Sequence, residues 1–427
     1  MIEVSKPLGR LGGLCVAAAL LGCGNPAPDA DADAVPIGAL LPFTGSSAAG
    51  GVNHERAMLL AVEYLNAEAG RSGMRFRLAV RDSRSSVEGA LGGLEALNRQ
   101  APIGLIGPNQ VELVAAVRSA LRGEAFAHLL PSSVTLTDFA DDDSGRLIRM
   151  APAAEYVGCA LANLIYGDLH RRLVVFHSGD AYREAFATAA VSAFESFRFA
   201  AHSGAGVTLP LAAGATDAET VTSAADFEPD TAIVAADAPA AARLLRAWST
   251  LTTRDVGWFF EPALGSEEFL RNVSPRTASG AVGVSLSLPD KAVDFEFAFA
   301  QRWGELPLVE SYLYFDAVVA LGLAAIQAQY ESGRAPTHED VADRVLPILR
   351  GPGRSVSWRE LGQAIELTLQ GTNVHYVGAA GRIFLDQNGT LDGTSAIFGF
   401  WRIRAGVIES EKFGACPAGT RLVDGVP

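Results

Sequence analysis

Polar side chains of this chain gather where short apolar runs have just ended, and the chemistry open to them is hydrogen-bonding and charge recognition of a small molecule. Ser46 and Ser47 follow Val35 to Leu41 and Pro42. Asn109 and Gln110 follow Ile103 to Ile106, Gly107 and Pro108, and Ser132 and Ser133 follow Phe126 to Leu130 and Pro131. A second set, Tyr182, Asp237 and Glu261, stands after Leu173 to Phe176, Thr231 to Ala235 and Val256 to Phe260. Hydroxyls, amides, a phenol and carboxylates can bind and orient a polar ligand. A phenol at such a place also packs, and an Asp or Glu also caps a helix, so each has a structural reading beside the functional one.

Motifs that would add catalysis are missing. Gly45 to Gly51 has glycines at phosphate-loop spacing, but Gly51 and Val52 stand where Lys and Ser or Thr must be. There is no G-x-S-x-G elbow and no G-x-G-x-x-G after a strand, and neither His54 nor His338 begins an H-E-x-x-H pair. Asp386 to Asp392, DQNGTLD, has the look of a calcium loop but lacks its twelfth-position Glu, and reads as a β-turn. The expectation is a binding protein with no catalytic residue, metal or cofactor.

The elements that must position these residues repeat one pattern. Val35 to Leu41 reads as a buried strand, Thr44 to Gly51 as an open loop of small residues, and the stretch after Asn53, a candidate N-cap, as a helix with Ala57, Met58, Ala61, Val62 and Leu65 inward. Met74 to Val80 alternates like a half-exposed strand near a sheet edge. Proline has no N–H for the ladder and stops each of three strands at a fixed place. Right-handed crossovers then align those ends along one edge, where open α/β sheets bind ligands. A second series of strands and helices follows from Leu147. Beyond it, Ser311 to Tyr330 reads as a long apolar helix, Asp340 to Leu349 and Arg359 to Leu369 as further helices, and Gly381 to Leu385 and Ile397 to Ile403 as strands flanking the turn Asp386 to Gly389.

Composition and the N-terminus bound the partners. The 427 residues are 49% hydrophobic, enough for two domains with cores, and 48 acidic against 34 basic residues give a net charge of -14. That balance argues against nucleic acid and gives no support to binding anionic lipid. Lys6 and Arg10 precede an apolar run, Leu11 to Leu21, too short to span a bilayer and right for a signal peptide. It ends in Leu20, Leu21, Gly22, Cys23, which resembles the bacterial lipobox, with cleavage after residue 22 and lipid on Cys23. Residues 23–34 then form a disordered tether. No second stretch reads as a membrane span. With Cys15 in the signal and Cys23 lipidated, Cys159 and Cys416 are the one pair left for an intramolecular disulfide; two buried thiols are the alternative.

Taken together, IGALLPFTG…LAVEYLN, IGLIGP, LLPSSVTLTD, Gly179 to Tyr182, SYLYFDAVVAL and GRIFLDQNGT occur in the order seen in type I periplasmic binding proteins. The chain resembles the branched-chain amino acid (Leu/Ile/Val) receptor group, the substrate-binding lipoproteins of ABC transporters. The resemblance implies an α/β fold of two doubly wound parallel-sheet lobes joined by a three-crossover hinge, with an N-lobe of residues 35–152 and 284–375 and a C-lobe of 153–283 and 376–427. It implies a protein held by lipid at the periplasm or cell surface, closing on an amino acid or related amide for an ABC permease. Tyr182 matches the family's aromatic contact and Glu261 a partner for a ligand ammonium. Asn109 and Gln110 replace a small hydroxyl residue, and Val134 stands where a carboxylate-binding hydroxyl is expected, with Thr135 or backbone N–H groups as substitutes. Those departures keep a second reading open, a lipoprotein sensor or scaffold that regulates an envelope partner.

Overall fold

The computed structural model describes residues 33–132, 135, 144–199, 202–211, 217–286, 292–393 and 396–420. The signal sequence, the lipobox with Cys23, most of the tether, and Ser133 and Val134 lie outside the described residues.

The first sheet has the order β2-β1-β3-β4-β5, built from β1 (Val35–Leu41), β2 (Phe76–Asp82), β3 (Leu105–Ile106), β4 (His128–Leu130) and β5 (Leu147–Arg149), all parallel. Strand β1 is covered on both faces, with Ile37, Ala39, Leu40 and Leu41 wholly buried, as its unbroken apolar sequence requires. The alternating strand β2 does form an edge.

The second sheet runs β16-β15-β12-β11-β10-β6-β9: β6 (Arg172–His177), β9 (Ala205–Pro210), β10 (Thr231–Ala235), β11 (Gly257–Phe260) and β12 (Val282–Leu286) are parallel, while β15 (Phe398–Arg404) and β16 (Val407–Gly414) add an antiparallel edge. Two small ribbons complete the strands, β7 (Arg198–Phe199) with β8 (His202–Ser203) and β13 (Arg354–Ser357) with β14 (Val374–Val377). The chain passes between the sheets three times: after β5, after β12, and before β15. The fold is two α/β lobes, each with its sheet between helices.

Helix Ser311–Ser332 is the central beam of the first lobe, buried without interruption from Ser311 to Ile326. By length and mean hydropathy of 1.4 it could cross a membrane, contrary to the sequence expectation, but 94% of its apolar window is buried in the fold. Its one charged residue in that stretch, Asp316, accepts hydrogen bonds from the Tyr376 hydroxyl at 2.8 Å and the amides of Ala379 and Ala380 at 2.6 and 2.9 Å. A buried carboxylate must be satisfied in this way. Burial pushes it up, to about 7, against the pull of those three donors.

Three local expectations change. The first helix spans Gly51–Ala67 with Gly50 at its N-cap, so Asn53 lies inside it. Its Oδ1 instead accepts from the Leu308 amide and the Ser311 hydroxyl, tying the helix to the start of the central beam. Residues Asp340 to Leu349 divide into helices His338–Ala342 and Val345–Arg350. The strand at 397–403 does not pair across the Asp386 turn; β15 pairs with β16, whose charged face obscured it, and the Asp386 turn carries isolated bridges, Leu385 with Leu391 and Thr390 with Arg149.

Candidate functional site

The first wall is assembled from the C-terminal ends of β1, β3 and β4. Gly51 starts the helix so close to the end of β1 that a Cβ there would lie 2.2 Å from the Pro42 carbonyl oxygen. The loop between them is fastened by Asp82 at the end of β2. The Thr44 hydroxyl donates to Asp82 Oδ2 at 2.6 Å, and the Phe43 and Thr44 amides donate to Oδ1 at 3.0 and 3.3 Å. Burial would raise the Asp82 carboxyl, but its donors Thr44, Arg84 and Phe43 together hold it below the usual range. The Ser85 hydroxyl accepts the Ser47 amide at 3.1 Å and donates to the Thr44 carbonyl at 3.0 Å. Ser46 is left exposed and Ser47 half-buried.

Asn109 and Gln110 sit between β3 and helix Val111–Ala120. Gly107 takes a φ of +76°, and a Cβ there would lie 2.5 Å from the Leu40 carbonyl oxygen, so only glycine delivers the two amides to this place. Gln110 holds the N-cap position without capping through its side chain. Asn109 Oδ1 and Gln110 Oε1 are enclosed and accept no hydrogen bond from the described residues. Native interiors seldom leave an acceptor so.

Ser132, after β4, leads to residues the sequence reading did not single out. Its hydroxyl meets the Tyr314 hydroxyl at 2.9 Å, and the wholly buried Tyr314 ring stacks on His54 with centroids 4.3 Å apart. His54 Nδ1 is 2.9 Å from Ser311 Oγ, whose proton goes to Asn53 Oδ1 at 2.7 Å, so His54 carries its proton on Nδ1. Burial lowers the His54 pKa to about 3 and the ring is neutral. Tyr312 and Tyr314, two phenols within the apolar motif SYLYFDAVVAL, were the available signal.

The second wall is the turn after β6 with the ends of β10 and β11. Asp180 caps helix Ala181–Ser196 by accepting the Arg183 amide at 3.0 Å. The Arg183 guanidinium folds back over the sheet edge. Its Nε donates to Glu261 Oε1 at 2.6 Å, and its Nη1 donates to Asp180 Oδ2 at 2.9 Å and Ser178 Oγ at 3.1 Å. Glu261, expected from sequence to face a ligand ammonium, is 1% exposed and has Arg183 as its cation. Burial pushes its carboxyl up, to about 7, although Arg183 pulls the other way. Asp237 is an exposed helix cap, accepting the Ala240 amide at 2.8 Å. Tyr182 is half-buried and packs against the second-sheet core.

The two walls meet. Ala181 N–H, in the turn of the second lobe, donates to Glu112 Oε1 on the first lobe at 3.3 Å. Glu112 is two residues past Gln110 and Ala181 two before Arg183, so that contact joins the helix start that carries the two amides to the turn that carries the guanidinium. Away from it, Cys159 and Cys416 form a disulfide with a Cα separation of 5.2 Å, binding the segment after β16 to helix Ala154–Gly167. Among the described residues no cluster of His, Cys, Asp or Glu could hold a metal ion. Asp386 Oδ1 is occupied by the amides of Asn388 and Thr390, both at 2.9 Å.

Comparison with known proteins follows the same outline. Residues 53–401 match the model of the receptor family ligand binding region. A leucine-binding protein from Thermotoga maritima MSB8 superposes with a TM-score of 0.70 at 17% identity, covering 89% of this chain and 98% of that one. The branched-chain amino acid transporter substrate-binding protein of Streptococcus pneumoniae, in complex with isoleucine, gives 0.69 at 16% identity, covering 90% and 99%. A solute-binding protein from R. palustris in complex with benzoate gives 0.62 at 14%, covering 92% and 99%. No curated protein matches in sequence.

Proposed function

The chain belongs to the receptor family ligand binding region, with the type I periplasmic binding fold, and from that premise we propose that it is an extracytoplasmic solute-binding protein without catalysis. Its lobes, divided near residues 152, 284 and 375, close on a small polar ligand, an amino acid or related amide, and present it to an ABC importer. Lipid on Cys23 holds it to a bacterial membrane.

One observation carries this reading: two enclosed acceptors without donors among the described residues, on Asn109 and Gln110, stand beside the contact that joins the first wall to the charged turn of the second. An enclosed acceptor loses its water and gains nothing until a donor arrives, so a ligand's N–H or ammonium is favoured there. Binding would favour the closed arrangement by its differential affinity for it. The fold's relatives described with isoleucine and benzoate bound support a small-molecule role.

The test is a thermal-shift screen of the purified soluble chain against amino acids, their amides and small organic acids. A ligand present at 100 times its Kd stabilises by about 2.7 kcal/mol, well above detection. Asn109→Ala/Gln110→Ala should abolish the shift of any hit. If no solute shifts the melt while crosslinking in cells recovers an envelope protein, the sensor or scaffold reading replaces transport. Mass spectrometry of the mature protein checks the anchor: a lipid-free N-terminus other than Cys23 refutes it.

A further inference from the structure

The third passage between the lobes begins at a turn that one buried side chain holds. Where β14 ends, Gly378 and Gly381 exchange backbone hydrogen bonds at 3.1 and 3.0 Å, and the turn between them points the amides of Ala379 and Ala380 at Asp316 of the central helix. The approach leaves no room for a side chain, since a Cβ on Gly378 would lie 2.1 Å from Asp316 Oδ2. From this turn a hairpin runs to the hinge, closed by the Asp386 amide on the Thr390 carbonyl and the Asp392 amide on the Phe384 carbonyl, both at 2.8 Å. The hairpin is bound in turn to Arg149, the last residue of β5: the Arg149 amide donates to the Gly389 carbonyl at 2.8 Å and the Leu391 amide to the Arg149 carbonyl at 3.0 Å. The first passage leaves from Arg149. Gly393, just past the hairpin, lies so close to the second lobe that a Cβ there would be 2.0 Å from the Tyr156 ring. The hairpin therefore joins the first and third passages, and Asp316 grips its root.

No cation shares the grip. Asp316 is wholly buried, and the groups acting on it are the Tyr376 hydroxyl and the two amides. The other titratable groups on the elements around it are engaged or turned away. His375 on β14 meets the Gly351 carbonyl, His54 on the first helix meets Ser311, and Arg350 donates to the Leu385 carbonyl of the hairpin. Glu310 stands at the head of the central helix, and Glu339 and Glu366, on helices His338–Ala342 and Leu361–Leu369, are exposed. A carboxyl group sealed from water without a cation holds its proton more firmly than the same group in water, so drawing the turn away lets the proton go. We propose that Asp316 and the Gly378–Gly381 turn form a latch on the hinge whose opening is coupled to release of a proton, so that the third passage is held in acid and freed as pH rises. Burial that brings the group to about 7 puts the change in the neutral range.

Hydrogen exchange on the intact purified protein, with no ligand added, tests the latch between pH 5 and pH 9. Each rate is divided by the intrinsic rate at that pH. The Ala379 and Ala380 amides should exchange faster than those of β1 in the same lobe, because the latch opens without unfolding the lobe. Their opening constant should rise by at least about 30-fold from pH 5 to pH 8 and level off near pH 7. Asp316→Asn cannot ionise and should make it independent of pH. Tyr376→Phe keeps the carboxylate but removes one donor to its charged form, so the levelling should move up by about one pH unit; this variant decides alone if Asp316→Asn does not fold. Opening of His54 or His375 would take up a proton and give the opposite slope. Exchange no faster than in β1, a constant that is flat or rises as pH falls, a slope that survives Asp316→Asn, or an unmoved levelling in Tyr376→Phe overturns the latch. Solute binding stands or falls separately, since no solute enters the experiment.

Discussion

Replacing Arg183 by Gln removes a cation 2.6 Å from a carboxylate that is 1% exposed. Breaking a buried pair from one side costs about 3–5 kcal/mol, because the remaining charge has neither water nor partner. The cost should depend on pH. Burial already raises Glu261 from 4.5 to about 7 in the native protein, with Arg183 opposing the rise. A folded-state pKa above the unfolded one means the native state binds the proton more tightly. That contribution is complete below the unfolded value of 4.5 and disappears as pH climbs through the folded value. Without Arg183 the folded value moves further up, so the variant keeps losing stability at a pH where the wild type has stopped. The gap between them widens by about 1.4 kcal/mol for each unit of additional rise. Urea unfolding at pH 5 and pH 8, followed by the fluorescence of Trp248, Trp258 and Trp401 in the second-sheet core, reads it directly. The penalty should be larger at pH 8 by at least about 1 kcal/mol. Adding Glu261→Gln should remove the pH dependence. A penalty equal at both pH values, or larger at pH 5, refutes the account of the pair.

Three further outcomes follow from contacts elsewhere. Cys159→Ala/Cys416→Ala opens a loop of 257 residues; the chain-entropy relation gives about 5.5 kcal/mol, and a loss of about 3–5 kcal/mol is expected in denaturant titration, with wild type under reducing conditions approaching the variant. Asp316→Ala strands the Tyr376 hydroxyl and the amides of Ala379 and Ala380 in the interior, so it should destabilise the first lobe by about 3 kcal/mol or more, seen as a lower melting temperature. His54, whose folded value of about 3 lies below its ordinary 6.5, contributes stability that is whole above about pH 6.5 and declines as pH falls; its ring resonances should remain those of the neutral Nδ1–H form at pH 5, and a titration there would contradict the burial.

The strand ends were readable because proline and glycine mark them in the local sequence. Pro42, Pro108 and Pro131 stop β1, β3 and β4 within one or two residues, and the two lobes followed from repetition of that pattern. Elimination left Cys416 as the one candidate partner of Cys159 with two buried thiols as the alternative, and only the fold brings the two together. What the sequence concealed depends on long-range neighbours. Arg183 stands near the start of a helix, and nothing local tells that its side chain reaches Glu261, 78 residues further on. His54 and Tyr314, 260 residues apart by number and stacked in space, sit in helices whose spacing speaks only of core. Strand β16 escaped because its exposed, charged residues carry no alternation of burial for a periodic reading to detect.

The antiparallel edge of the second sheet also sets an order of events in synthesis. Strand β12 receives its outer neighbour β15 only after more than 100 further residues have emerged, and Phe398, Phe400, Trp401 and Ile403 fill both cores of that sheet. A chain that emerges from its N-terminus therefore arrives with one lobe able to close and the other still open along β12. The second lobe must wait, its Phe259, Val282 and Val284 uncovered, until β15 is delivered. Any chaperone that meets this protein during synthesis should meet it there.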